Sequence, residues 1–101
     1  MIRFKNLKSF EWDTGNIDKN YKKHGVHWTE CEEVFFNEPL IVKQDLKHSD
    51  KEERFYVLGK TNNNRLLFIV FTIRKEKIRV ISARDMNKRE RKVYHEIEKN
   101  T

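Results

Sequence analysis

The sequence predicts an α+β fold, an antiparallel sheet packed by helices, in the order β-α-α-β-β-β-β-α. Three observations predict it. Segments at 54–60, 65–74 and 78–84 carry strand-like apolar patterns and are separated only by the short polar turns 61–64 and 74–77; turns this short join antiparallel neighbours. Thr29 with Glu32, and Asn87 with Glu90, pair a capping residue with a glutamate three positions on, the signature of a helix start. The apolar residues fall in blocks that include 7 Phe, 3 Tyr and 2 Trp, enough to build a core in a chain that is 38% charged.

Taken in order, residues 2–12 read as a short opening strand, with Ile2, Phe4, Phe10 and Trp12 on even positions. Asp13 caps a helix over about 14–24, with Ile17, Tyr21 and His24 on one face. Gly25 suits the left-handed stop. The Thr29/Glu32 box opens a second helix that turns Cys31, Val34, Phe35 and Phe36 to the core, and Pro39 prevents its continuation. Leu40 to Gln44 is a short strand and 45–53 a polar loop. Arg54 to Lys60 alternates, with Phe55 and Val57 on one side and Arg54, Tyr56 and Leu58 on the other. The run Leu66 to Phe71 reads as a central strand buried on both faces. Ile78 to Arg84 follows, and the Asn87/Glu90 box opens a last helix to about 99, with Val93, Tyr94 and Ile97 on its apolar side.

The 101 residues are expected to form a single domain spanning 1–101. No apolar run approaches the roughly 20 residues of a membrane span, and the first ten residues do not read as a signal peptide. Cys31 is the lone cysteine, which fits a reducing cytoplasm. The four histidines have no zinc spacing, so neither a metal nor another cofactor is expected.

Charge is concentrated. Residues 74–92 hold nine Lys/Arg against three acids, 9 − 3 = +6, and the whole chain is 22 − 16 = +6. The remainder is therefore neutral, and the excess sits in one strand-then-helix segment. Such a field attracts a polyanion, most commonly nucleic acid. In a regular strand Arg79 and Arg84 start on opposite faces, and a bend after Arg84 re-aims it. Arg84, Lys88 and Arg89 put donors beside a helix N-terminus, and Arg54 opens the first strand of the meander. Asp85, next to Arg84, is placed to pair with it. Proton-transfer candidates are His48, Glu52 and Glu53 in the polar loop, with Tyr94 and His95 behind them.

The motifs F-E-W-D (10–13), K-H-G-V (23–26), E-V-F-F (33–36), D-L-K-H-S-D-K-E-E-R-F (45–55), R-V-I-S-A-R (79–84) and K-R-E-R (88–91) appear in this order. Together they resemble the BrnT family, small bacterial ribonuclease toxins of type II toxin-antitoxin pairs. The resemblance implies a RelE-like fold and metal-independent RNA cleavage that inhibits translation. It also implies neutralisation by a BrnA-like antitoxin of the ribbon-helix-helix type, whose dimer binds operator DNA. It assigns His48, Glu53, Arg54, Arg79 and Arg84 to catalysis. Lys88, Arg89, Arg91 and Lys92 are the candidate RNA-binding residues. The second reading is a nucleic-acid-binding module without catalysis.

Overall fold

The computed structural model describes residues 9–48 and 51–101. Its elements are α1 (Thr14–Ile17), α2 (Lys19–His24), α3 (Trp28–Phe36), β1 (Ile41–Gln44), β2 (Arg54–Lys60), β3 (Leu66–Arg74), β4 (Lys77–Asp85) and α4 (Lys88–Lys99). The four strands form one antiparallel sheet in the order β1-β2-β3-β4. The α+β expectation holds. Helices α1–α3 cover one face of the sheet and α4 covers part of the other.

The opening strand lies mostly outside the described residues. What is described, Ser9 to Glu11, makes a parallel bridge at Phe10 and Ile78. Ile78 N–H donates to Ser9 O, and Glu11 N–H donates to Ile78 O, both at 2.9 Å. The single helix expected over 14–24 is two, broken at Asp18. Its buried side chains are Asn16 and Asn20, whereas Tyr21 is 50% exposed. The reason is the edge of β4. Asn16 Nδ2 donates to Val80 O at 3.0 Å, Asn20 Oδ1 accepts from Ala83 N–H at 3.1 Å, and Lys19 Nζ donates to Ile81 O at 3.1 Å. An edge strand presents unpaired backbone groups, so the covering helices bury amide side chains rather than an apolar stripe.

Helix α3 is capped two residues earlier than Thr29/Glu32 implied, at His27. Glu30 Oε1 accepts from His27 N–H at 3.0 Å, and Glu30, not Glu32, is the capping carboxylate. Cys31 and Val34 are buried, but Phe36 is 60% exposed, because at 100° per residue it turns away from the face they share. A Cβ at Gly59 would meet Val34 Cγ1 at 2.5 Å, so glycine lets α3 approach β2.

Strand β3 is central, yet it is not buried evenly. Leu67, Ile69 and Phe71 are fully buried under α1–α3 with Val34, Val57 and Val80. Leu66, Phe68 and Val70 face the other way and are half-buried. There Tyr94 of α4, with Met86 just before that helix, packs against Leu58, Leu66 and Phe68, and Tyr94 Oη donates to Pro39 O at 2.7 Å. Burial pushes that phenol up to about 12. Tyr94 is thus a core residue.

The regular strand assumed for 78–84 is interrupted. Val70 pairs with Ser82 but Phe71 pairs with Val80, so Ile81 is an extra residue in β4, a bulge. One inserted residue shifts the alternation by one. Ile78 and Val80 before it, and Ala83 after it, all point into the core. Arg79 and Arg84 therefore share the opposite face. This corrects the expectation that they start on opposite sides.

Candidate active site

The sheet face not covered by α1–α3 carries three cross-strand rows. Arg54, Thr72 and Arg79 are in register; so are Tyr56, Val70 and Ser82; so are Leu58, Phe68 and Arg84. The bulge, and no helix bend, brings Arg84 onto the face of Arg54 and Arg79. Three of the five expected catalytic residues are thereby collected.

Arg74, Arg79 and Arg84 are each held by carboxylates. Arg84 Nη1 and Nη2 donate to Glu90 Oε1 and Oε2 at 2.8 and 3.0 Å, and its guanidinium lies 4.1 Å from the Phe68 ring centroid. Arg79 donates from Nη1 to Glu11 at 3.0 Å and from Nη2 to Asp13 at 2.8 Å. Arg74, on the same side, donates to both oxygens of Glu52 at 3.1 and 3.0 Å. These contacts hold Asp13 and Glu52 below the ordinary carboxylate range, through Arg79 and Arg74 respectively. Burial pulls Glu90 up, but the Arg84 hydrogen bond and the Asn87 backbone N–H outweigh it, and its net shift is downward. All three carboxylates are ionised near neutral pH.

Asp85 does not pair with Arg84 through its side chain. It holds Arg65, with Nε–Oδ1 at 2.7 Å and Nη2–Oδ2 at 3.1 Å; Arg84 donates only to the Asp85 backbone O. Arg65 also reaches Glu30 Oε1 at 3.1 Å and Gly25 O at 2.9 Å. It ties the α2–α3 turn to the end of β4. The sequence places Arg65 at the start of the 65–74 strand, where nothing local announces partners this distant in the chain; β3 begins at Leu66.

Of the loop candidates, Glu53 accepts from Gln44 Nε2 at 3.0 Å. Gln44 pairs with Phe55, on the α3 side, so this carboxylate is turned away from Arg54. Its neighbour Glu52 is the one placed among Arg74, Arg54 and Arg79, whose charges all lower it. The signal was available: Glu52 has the parity of Arg54, and Glu53 does not. The backbone of His48 ends a 3-10 turn, Leu46–His48; its side chain lies outside the described part. His95 Nδ1 is 3.2 Å from Glu98 Oε1. Lys88, Arg89, Arg91 and Lys92 are exposed on α4, and Arg91 Nη1 donates to Met86 O at 2.7 Å.

The quoted motifs acquire structural roles. In F-E-W-D, Phe10 packs edge-on against Phe35 at 5.4 Å, Glu11 and Asp13 hold Arg79, and Trp12 Nε1 donates to Glu32 at 2.9 Å. In K-H-G-V, Gly25 takes φ +67° and Val26 is fully buried.

The domain is α+β, with Arg54, Arg79 and Arg84 on one open sheet face beside a helix that exposes Lys88, Arg89, Arg91 and Lys92. The chain belongs to the BrnT family: residues 12–90 match the family described as ribonuclease toxin, BrnT, of type II toxin-antitoxin systems. That class has RNA as substrate and an antitoxin as partner. No curated protein matches the sequence. No helix among the described residues is long and apolar enough to cross a membrane.

Proposed function

We propose that residues 1–101 form a single-domain endoribonuclease toxin that cuts RNA without a metal ion. Arg79 and Arg84 stabilise the charge that grows on the phosphorane, and Arg54 assists. The 2′-hydroxyl is the nucleophile; His48 or Glu53 moves a proton, with Glu52 added by its position among the arginines. Lys88, Arg89, Arg91 and Lys92 hold flanking phosphates. A BrnA-like antitoxin dimer of the ribbon-helix-helix type neutralises the toxin, binds operator DNA with it, and covers the arginine face. The work is done in the cytoplasm, on a RelE-like frame.

The observation that carries this reading is the Ile81 bulge, which puts Arg79, Arg84 and Arg54 on one face. Guanidinium groups suit bidentate contact with phosphate. In this reading the arginines supply the positive charge that meets the developing phosphorane.

Single-turnover cleavage at saturating RNA, with a chelator present, tests it. Arg79→Ala and Arg84→Ala are expected to slow the saturated rate by roughly 100-fold, the usual cost of losing a donor aimed at developing charge. Variants that fold, bind RNA more weakly and cut at the wild-type saturated rate would make them binding residues only. The carboxylate partners of Arg79 and Arg84 favour the second reading, a module without catalysis; wild-type protein that binds RNA and never cuts it would establish that reading.

A further inference from the structure

The middle row of the open face is uncharged on β2, β3 and β4, where it reads Tyr56, Val70 and Ser82. Tyr56 stands at its centre, half-buried, between the Arg54/Arg79 row and the Arg84 row, with Lys43 as its partner on β1. Its ring lies 5.2 Å from that of Phe68, at an interplanar angle of 30°. Phe68 in turn lies under the Arg84 guanidinium. Arginine, Phe and Tyr thus form a continuous planar series leading to the centre of the face.

Much of the charge there is paired. Lys43, Arg54, Arg74, Lys77, Arg79 and Arg84 are six cations on this side; Glu11, Asp13, Glu52 and Glu90 supply four carboxylates, a difference of 6 − 4 = +2. A face whose charge is largely paired attracts phosphates less at long range, so an interaction that charge does not supply adds to its hold on RNA. Unstacked bases of a single strand find it on aromatic side chains, which are sequence-tolerant because every base has a π face.

We infer that Tyr56, backed by Phe68, is a nucleobase-stacking subsite for single-stranded RNA, with flanking phosphates reaching the arginine rows on either side. Strand geometry fits: alternate residues along β2 place the Arg54 and Leu58 rows about 6.8 Å to either side of Tyr56. The subsite rests on the proposal that this face meets RNA, and it predicts division of labour. Tyr56 contributes affinity that salt barely affects, whereas Lys88, Arg89 and Lys92 on α4 contribute the salt-dependent part.

The test uses single-stranded 2′-O-methyl RNA, which lacks the nucleophilic hydroxyl, carrying one 2-aminopurine. Tyr56→Leu is expected to weaken binding about tenfold with an unchanged salt slope, and to abolish 2-aminopurine quenching; Tyr56→Phe stays within about twofold, as stacking predicts. A single abasic position in the RNA should reproduce the Tyr56→Leu loss, and combining the two should add little. Full-affinity binding by Tyr56→Leu, or a loss that changes the salt slope, overturns the subsite. If Lys88→Ala and Arg84→Ala weaken binding while Tyr56→Leu does not, only the stacking subsite fails. If wild-type protein binds no such RNA, the reading of the face fails with it.

Discussion

Glu90 holds Arg84 and the start of α4 at once. Its two oxygens accept from Arg84 Nη1 and Nη2 at 2.8 and 3.0 Å. Its Oε1 also accepts from Asn87 N–H at 2.9 Å, while Glu90 N–H donates to Asn87 Oδ1 at 2.8 Å. The capping box that opens the helix and the clamp that orients the arginine are one set of bonds. Arg84 therefore has few orientations to lose when a phosphate arrives.

Glu90→Gln keeps an acceptor for the cap but removes the charge that faces Arg84. The expected result is a slower saturated cleavage rate with RNA binding unchanged or tighter, because a negative charge has left the face. Glu90→Ala removes the cap as well and should lower unfolding free energy by roughly 1–3 kcal/mol. Denaturant titration beside single-turnover kinetics measures both. Faster cleavage by Glu90→Gln would show that the glutamate restrains the arginine rather than orienting it.

Asn20→Ala leaves the backbone N–H of Ala83, now bonded at 3.1 Å to Asn20 Oδ1, buried without that acceptor. A cost of roughly 1–3 kcal/mol is expected, together with concentration-dependent association as the β4 edge opens. Thermal denaturation and light scattering check it; a variant as stable and monodisperse as wild type would show that the edge is closed by the remaining contacts.

Stability should fall on acidification in a defined window. Asp85 is lowered by the Arg65 hydrogen bond, Glu52 by that of Arg74, Asp13 by that of Arg79 and Glu98 by that of Lys60. A carboxyl with a depressed folded value adds stability that is present above its unfolded value and lost as pH falls through the folded one. The ordinary values are 3.8 for Asp and 4.5 for Glu. The melting temperature should therefore drop mainly below about pH 4.5. Arg65→Lys keeps a charge but cannot reproduce the fork that holds Asp85 and Glu30. It should melt lower at neutral pH and lose less on acidification; a parallel pH curve would remove Arg65 from the account.

The β3–β4 turn carries Lys75 at φ +50° and Glu76 at φ +66°. Both are side chains that rarely adopt this conformation. Replacing the pair with Asn-Gly, the residues that such hairpin turns favour, should stabilise the fold by about 1 kcal/mol. A raised denaturation midpoint with an unchanged slope would show it, and a lowered midpoint would mean that the lysine or glutamate makes a compensating contact.

Local features were legible in the sequence because their causes are local. The three-stranded meander follows from alternation and turn residues, and β2 runs from Arg54 to Lys60 as expected. The Asp13 cap, the left-handed Gly25 and the Asn87/Glu90 box follow from the hydrogen-bonding needs of helix ends. The concentration of charge in 74–92, and the motif order that resembles the BrnT family, are likewise properties of the chain alone. Tertiary structure decided the rest. A one-residue bulge at Ile81 has no local signature, yet it reverses the face of every residue after it and so unites Arg79 with Arg84. The partners that neutralise the arginines come from Glu11, Asp13 and Glu52, distant in sequence from Arg79 and Arg74. Asn16 and Asn20 are buried because β4 needs donors and acceptors at its edge, which no helical period announces. Sequence alone determined the strands of the meander and the last helix; the register between strands determined which side chains meet, because register places each residue on one face or the other.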